Sequence, residues 1–554
     1  MDRKKQKKKK NSSAKGWEQK NILEIIIFMT ILSCIMKRVA IIWQIGIQGS
    51  AYFFSVYDVL VCFWVLLPVS LRQVVYKLVE SRVSMTQYKN SFRVMYSAAL
   101  MAVLYAIITI ILCYSLADFI TTNFLPGNGG VLAYYIMIPT ILFLGFSNVI
   151  RGFFEGLFSV IPSLFSVFLE QICMLLGIII FSGLFTEYGE KISVVLANPE
   201  NLYAYGAAGA AVGYLCGALV GGILSFVIFI VNKKSIRRKN RRDETRKNED
   251  VYDLFVIIFK HLLPLGLVLL LVSSFEVFAQ WIFFRCQNMM QEQILLSYQF
   301  GAYTGIYRTV ISVPLLLIFA YSIRNINLLE LGMRSGDFHE VRFKAFAMLK
   351  TAMAISFGFA AYSLVMAGPI VRGLFGLDSD LAIRFIRIGF AGILFMGFYI
   401  TVTLILLGMG KNHTCIMNGL ITVFVYVILV FALATRTDMG IYSLIIGFLI
   451  YSALSAILSY FVLVKEMRNL PDVSKTFIVP FLSALAVGVV SLICNLIFGL
   501  FMPDILNAIS VFIIFFISYY VCLVKGGCFN AYEIENSKFG FILAPLGRIL
   551  RIMH

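Results

Sequence analysis

Charge is scarce in this chain, and so are the residue patterns on which enzymes and metal sites depend. Only 14% of the 554 residues are charged, and only four residues are histidine. The ten cysteines are scattered without a Cys-x-x-Cys spacing, which argues against a metal site and against a disulfide framework. The sequence contains no phosphate-binding glycine loop and no clustered nucleophile and base. We therefore expect a protein that is not an enzyme and that uses neither a metal nor a cofactor.

Long apolar runs are what the chain has in abundance. Apolar residues make up 60% of it, and its mean hydropathy is +0.88. A run of about 20 apolar residues can cross roughly 30 Å of hydrocarbon as a helix. Because backbone polar groups in lipid must be satisfied within each segment, we predict an all-α polytopic membrane protein. The fourteen predicted spans are residues 22–45, 51–74, 93–116, 131–151, 160–184, 205–231, 253–284, 297–320, 345–368, 382–408, 413–434, 440–464, 475–500 and 506–525.

The net charge of +18 is concentrated beside the predicted spans. Residues 1–20 and 233–250 each carry nine Lys or Arg, and cytoplasmic segments next to spans collect such residues. We therefore expect anionic lipids to bind these basic segments, and we expect no nucleic-acid partner. Basic connections alternate with connections that are poor in Lys and Arg, which predicts that both termini are cytoplasmic.

The sixth and twelfth predicted spans resemble each other. Gly206 to Gly213 and Ile223-Leu-Ser-Phe226 match Gly440, Gly447 and Ile457-Leu-Ser-Tyr460 at an offset of 234 residues. We therefore predict two six-helix lobes from an internal repeat, and such repeats place a substrate pathway at their interface. The predicted organisation is a basic tail at 1–21, an N-lobe at 22–232, a basic linker at 233–252, a C-lobe at 253–465, an extra helix pair at 475–525 and a tail at 526–554.

A signature begins at the end of the fourth predicted span. It consists of Arg151-Gly152-Phe-Phe-Glu-Gly156, then Ile161-Pro162-Ser163, and then Glu170-Gln171. It resembles the polysaccharide biosynthesis and spore cortex flippases of the multidrug/oligosaccharidyl-lipid/polysaccharide exporter superfamily. The segment Leu67-Pro-Val-Ser-Leu-Arg72 is closer to the related lipid II flippases.

This resemblance implies a fold in which the first, second, seventh and eighth helices line a central cavity. It also implies transport of undecaprenyl-pyrophosphate-linked saccharides by alternating access across a bacterial plasma membrane. We expect the protein to function as a monomer.

Four basic residues lie within spans that the resemblance assigns to the cavity. Burying an ionisable side chain in a span costs at least about 2.5–3.5 kcal/mol, so such residues normally face a cavity or a partner. Guanidinium groups bind phosphate oxygens in a bidentate manner. We therefore predict that Arg38, Arg72 and Arg308 form a pyrophosphate site and that Lys37 assists. The alternative is that some of them reach an interface or pair internally with acids.

Other polar residues are assigned supporting roles. Glu276 and Gln280 lie one helical turn apart in the seventh span, where Glu276 is either a counter-charge or coupling-ion site, or part of a structural ion pair. Lys260 and His261, at the predicted cytoplasmic start of that span, are expected at the membrane interface. The residues predicted to act in structure or gating are Arg151, Gly152, Gly156, Glu170 and Pro314. The two glycines are expected to form a close turn into Pro162.

The main rival function is that of a cation or drug antiporter of the same superfamily. Its cationic substrates would require acids in the cavity. Four basic residues against one firm acid, Glu276, favour an anionic substrate. The saccharide stays open among peptidoglycan, capsule, teichoic and exopolysaccharide units, and the driving force stays open between an ion gradient and the membrane potential.

Overall fold

The structure is a computed structural model that describes residues 2–234, 238, 243–245, 247–287, 293–437, 439–468 and 471–529. Side chains are described from residue 25 onward, except those of residues 287, 293 and 324. Most of the predicted tail at 526–554, the side chains of the basic tail at 1–21 and much of the basic linker therefore lie outside the described part.

The described residues form helices and the turns between them, and no β-strand occurs among them. The helices are α1 (Asp2–Trp64), α2 (Ser70–Ser84), α3 (Tyr88–Ser115), α4 (Ala117–Phe124), α5 (Val131–Met137), α6 (Thr140–Gly156), α7 (Val160–Val195), α8 (Glu200–Val231), α9 (Val251–Gln287), α10 (Gln293–Gly301), α11 (Arg308–Ser335), α12 (Phe338–Val365), α13 (Asp380–Gly389), α14 (Ala391–Gly408), α15 (Asn412–Arg436), α16 (Tyr442–Met467), α17 (Val479–Phe498) and α18 (Asp504–Lys525). Wider π-helical turns at Val65–Val69 and Ala302–Tyr307 lead into α2 and α11. The predicted all-α polytopic class is confirmed.

The number of membrane spans depends on how bent helices are divided. Among the described residues, 12 helices are long and apolar enough to cross a membrane, or 13 if α5 and α6, bent by 42°, count as one span. One of the 12 is the 60-residue segment Ile25–Ser84, which would be about 90 Å long if straight. Gly46 interrupts it with φ 70° and ψ −175°, a conformation that glycine adopts without steric cost. Dividing the segment at Gly46 gives the predicted fourteen spans, but the exact count stays a prediction.

The buried apolar side chains of the described residues form four clusters, two made mainly by each predicted lobe. In the first lobe, one cluster joins α1 with α5 and α8, and a second joins α2, α3 and α6. In the second lobe, one cluster joins α10 to α16 with the last helix pair and also contains Val39, Ile42, Ile47 and Ala51 of α1. Another joins α11, α12 and α14 at the other end. The extra helices α17 and α18 pack against α12, so they belong to the same body as the second lobe.

Helix α9 packs in both lobes. Its early residues Leu254, Ile258 and Leu262 are buried in the cluster of α2, α3 and α6. Its later residues, from Val268 onward, are buried in the clusters of the second lobe. Pro264 stands at the changeover. The predicted domain boundary after residue 252 stays a prediction, and the packing shows that α9 is shared across it.

The acidic end of the predicted linker is attached to the α2–α3 turn. Arg82 Nε lies 2.8 Å from Glu249 Oε2, and Lys89 Nζ lies 3.3 Å from Asp243 Oδ2. The Glu249 amide also donates to Asn90 Oδ1 at 3.1 Å. The residues just before α9 are therefore fixed to the first lobe.

The signature segment does not form its turn at the two glycines, as the sequence analysis expected. Gly152 and Gly156 are both buried within α6, and the left-handed residue of the following turn is Phe158, with φ 61°. A Cβ on Gly152 would lie 2.5 Å from the Arg72 carbonyl oxygen, and one on Gly156 would lie 2.6 Å from Val79 Cβ. The glycines are therefore needed for the close packing of α6 against α2, and the turn expectation was wrong.

Helices α7 and α8 meet through glycines, and this contact yields a stability prediction. A Cβ on Gly213 would lie 2.3 Å from the backbone nitrogen of Ile178. We expect Gly213→Ala to destabilise the protein by about 1–3 kcal/mol, because the clash is with backbone and requires the helices to move apart. Thermal unfolding in detergent measures this change. The control is Gly488→Ala in α17, where a Cβ would have nothing within 4 Å; equal melting shifts for the two variants would contradict the prediction.

Candidate functional site: two interlobe cavities

A polar cavity of about 240 Å³ lies between the lobes near the middle of the helices. We call it the central cavity. Its polar lining residues are Arg38 and Tyr57 of α1, Asp58 on the same helix, Ser273 and Glu276 of α9, Tyr303 and Tyr307 of the π-helical turn, and Arg308 and Ser312 of α11. The predicted cavity helices therefore supply its charged groups.

Arg308 is held between two carboxylates. Its Nη1 donates to Asp58 Oδ2 and its Nη2 to Asp58 Oδ1 at 3.3 Å. Its Nε lies 3.0 Å from Glu276 Oε1. Asp58 belongs to the first lobe and Glu276 to the second, so Arg308 joins the lobes at the centre. Side-chain exposures of 18%, 4% and 12% for Arg308, Asp58 and Glu276 show that these charges are largely buried.

Arg38 contributes the second guanidinium of the central cavity. Its Nε donates to Thr309 Oγ1 at 3.0 Å, and its Nη2 donates to the Thr304 carbonyl at 3.2 Å. Its Cζ lies 4.3 Å from the centroid of the Phe54 ring. None of these partners carries charge, so they position the guanidinium without neutralising it.

The charge balance of the central cavity differs from the one expected from the sequence. Asp58, a second carboxylate, was not recognised there, and together with Glu276 it formally balances Arg38 and Arg308. The count of four basic residues against one acid was therefore wrong. Asp58 could have been found from the sequence, since it interrupts an apolar run as Arg308 does.

Arg72 does not lie in the central cavity. Its Nε donates to Glu155 Oε1 at 3.2 Å, and its Nη2 donates to Ser163 Oγ at the same distance. Ser163 in turn donates to Glu155 Oε1 at 2.6 Å. Glu155 and Ser163 belong to the signature, so this part of it holds Arg72 in place.

Arg72 instead lines a larger cavity of about 630 Å³ at the end of the lobes that is predicted to be cytoplasmic. We call this cavity the vestibule. It is lined by α2, the first half of α9, the end of α11, and the α14–α15 turn. Lys77 Nζ of the first lobe lies 2.7 Å from Glu330 Oε2 of the second lobe, so this ion pair joins the lobes at the wall of the vestibule.

Lys37 points away from both cavities, into the first lobe. Its Nζ donates to Gln171 Oε1 and lies 3.5 Å from Met174 Sδ. It also lies 5.3 Å from the ring centroid of Tyr214. Adjacent helical positions point about 100° apart, which explains why Lys37 and Arg38 face different surroundings. The predicted assisting role of Lys37 stays untested.

Arg151 and Glu170 form a buried ion pair inside the first lobe. Arg151 Nη2 lies 2.6 Å from Glu170 Oε2, and both side chains are at most 4% exposed. Arg151 Nε also donates to Ser166 Oγ at 3.1 Å. Neither residue lines the central cavity or the vestibule, and their contacts connect α6 with α7.

Gln280 is fully buried and bonds across the lobes. Its Nε2 donates to the carbonyl oxygens of Ser55, at 3.2 Å, and of Phe124. Gly301 makes a second close contact with the first lobe, where a Cβ would approach the Ile47 carbonyl oxygen to 1.9 Å. The lobes therefore touch closely at the end opposite the vestibule.

Pro314 is buried within α11 and does not line the central cavity.

An apolar groove of about 270 Å³ is lined in part by Thr309, the residue to which Arg38 of the central cavity donates. Ile35 of α1 and Thr309, Val310 and Val313 of α11 form one wall. The remaining walls come from α12, α14 and α18 and from Ile370–Leu374. A polar cavity and an apolar groove therefore adjoin at the α1–α11 contact.

Among the residues that the structure describes, no group of three or more His, Cys, Asp or Glu could hold a metal ion.

One curated relative shows similarity in sequence. The chain is 24% identical over 311 residues to stage V sporulation protein B of Bacillus subtilis, and the match covers 55% of each chain. The match therefore spans about half the length of the curated relative. No family model matches the sequence.

Several solved transporters share the fold. A multidrug resistance MATE family transporter of the MOP superfamily, in an inward-facing conformation, has a TM-score of 0.63 at 13% identity, over 80% of this chain and 98% of the other. The lipid II flippase MurJ, in an inward closed conformation, has a TM-score of 0.56 at 14% identity, over 90% and 97%. The predicted resemblance is therefore confirmed: this chain is a multi-pass membrane protein with the transporter fold of the multidrug/oligosaccharidyl-lipid/polysaccharide exporter superfamily.

Proposed function

We propose that this protein is a flippase for undecaprenyl-pyrophosphate-linked saccharides. It moves them from the cytoplasmic to the outer leaflet of a bacterial plasma membrane by alternating access. The observation that carries the proposal is the junction of the central cavity with the apolar groove at Arg38 and Thr309. A substrate with a charged headgroup and a long hydrocarbon tail has one part suited to each side of this junction.

Arg38 and Arg308 are the diphosphate-binding groups in this proposal. Arg38 has uncharged partners, so it can bind phosphate oxygens without first releasing a carboxylate. Arg308 must exchange Asp58 for phosphate, and that exchange removes an ion pair between the lobes. Because Glu276 stays on the same lobe as Arg308, it retains its contact. Substrate binding would thereby be coupled to separation of the lobes.

The second candidate function is cation or drug antiport, and Asp58 is the observation that favours it. Two carboxylates in the central cavity can accept cationic groups, and a solved structure with this fold is a multidrug resistance transporter. Arg308 already engages both carboxylates, so a cationic substrate would have to displace it. Lipid flipping is therefore the function that we propose.

Reconstitution into liposomes tests the two functions against each other. We expect purified protein to move a fluorescent undecaprenyl-pyrophosphate-linked saccharide across the bilayer at a rate well above that of empty liposomes. Loss of accessibility of the label to an added quencher measures the movement. Transport of a cationic dye without lipid movement would contradict the proposal and support antiport.

A further inference from the structure

The charges of the vestibule are less balanced than those of the central cavity. Four permanent cations line it, namely Arg72, Lys77, Lys260 and Arg334. The carboxylates that engage them are Glu330, which binds Lys77 and Arg334 at 2.7 and 2.8 Å, and Glu155, which binds Arg72. Four cations against two carboxylates leave a formal charge of +2, whereas the central cavity is formally neutral.

Lys260 supplies much of this excess. Lys260 lies on α9, is exposed and lines the vestibule. Within the described residues, no carboxylate lies within ion-pair distance of its ammonium group. His261 follows it on the same wall, where its Nδ1 lies 2.9 Å from the Ile257 carbonyl oxygen. Lys260 is thus placed in the cavity and not only at an interface.

Arg72, on α2, lines the same cavity and is also partly available. Its contacts with Glu155 and Ser163 use Nε and Nη2. A guanidinium has five N–H donors, so those on Nη1 take no part in these contacts. Gln73 and Asn412 add amide groups to the same lining. A phosphate-bearing ligand with hydroxyl groups would find both charged and neutral donors here.

We propose that the vestibule is an anion-binding site that receives a diphosphate before it reaches the central cavity, with Lys260 and Arg72 as its principal cations. Identifying that diphosphate as the headgroup of a lipid-linked saccharide rests on the proposed function. The diphosphate must arrive from the vestibule end, because the lobes are in close contact at the other end. A formally positive vestibule next to a neutral central cavity attracts the anion first to the vestibule.

Direct binding measurements test this site. Titration of the purified protein with inorganic pyrophosphate, by calorimetry in detergent at low ionic strength, gives the affinity. We expect Lys260→Gln to weaken binding about tenfold or more, since a hydrogen bond to a charged group contributes roughly 1.5–3 kcal/mol. The matched control is Lys191→Gln, an exposed lysine near the opposite end of α7, which should bind as the unchanged protein does. Equal affinities for the two variants, or no measurable binding by the unchanged protein, would overturn the site.

Two further titrants identify the source of the diphosphate. A short-chain prenyl diphosphate that binds more tightly than pyrophosphate, and loses affinity in Lys260→Gln, would support a lipid-linked ligand. Equal affinities for pyrophosphate and for the prenyl diphosphate would support a site that binds the diphosphate group and not the hydrocarbon chain. Stronger competition by phosphatidylglycerol than by either diphosphate would overturn the assignment, because the vestibule would then bind ordinary membrane lipid. If Lys260→Gln weakens pyrophosphate binding but the unchanged protein moves no lipid in liposomes, the site stands and the proposed function fails.

Discussion

Arg308→Ala is expected to lower the rate of lipid transport at least about 30-fold. Removing one partner of a buried, hydrogen-bonded charge pair costs roughly 2–5 kcal/mol, and 2 kcal/mol corresponds to about 30-fold. The variant leaves Asp58 and Glu276 in the central cavity without their shared cation. We therefore also expect a stability loss of about 3–5 kcal/mol. The liposome assay and unfolding in detergent measure the two effects separately.

A variant that also lacks the two carboxylates separates recognition from folding. Arg308→Ala combined with Asp58→Asn and Glu276→Gln removes the unpaired carboxylates, so stability should largely return. Transport should stay lost, because the guanidinium that binds phosphate is still missing. Recovery of transport together with stability would show that Arg308 is only structural. Arg387→Ala, at an exposed position of α13, is the control for loss of an arginine as such.

Glu170→Ala is expected to lower the free energy of unfolding by about 3–5 kcal/mol. It leaves the guanidinium of Arg151 buried without a carboxylate, and an uncompensated buried charge is strongly destabilising. The double variant Arg151→Met with Glu170→Leu should recover most of this loss, since apolar replacement of a buried pair is often neutral. Denaturant unfolding in detergent measures both.

The same variants test whether the signature pair has any part in transport. We expect transport per folded molecule to be unchanged in the double variant, because neither side chain lines the central cavity or the vestibule. Stable double-variant protein that moves no lipid would show that the pair acts in transport and not only in folding.

The helical fold was predictable because hydropathy is a local property. Runs of twenty apolar residues mark helices wherever they stand, so most predicted spans coincide with helices of the structure. The residues at which individual helices begin and end were less predictable. The predicted spans left a loop at 185–204, but α7 extends to Val195 and α8 begins at Glu200. The helices are longer than predicted because polar residues outside the hydrocarbon can continue a helix.

The pairing of charges could not be predicted in the same way. Arg72 and Glu155 lie 83 residues apart, and they meet because Gly152 and Gly156 let α6 approach α2 closely. Side-chain partners of this kind depend on packing, which a single sequence does not specify. Asp58 is different, because it could have been found by the same test that selected Arg308. Its omission made the central cavity look more cationic than it is.

The division of α9 between the lobes determines where the chain must deform. Its first residues are buried in one lobe and fixed there by the linker contacts, and its later residues are buried in the other. Any rotation of one lobe relative to the other therefore has to bend α9, because a continuous helix and not a flexible loop joins them here. Pro264 lies at the changeover, and proline removes one backbone hydrogen bond from a helix. We therefore expect α9 to bend most easily at Pro264, where the parts of the helix that are packed in the two lobes meet.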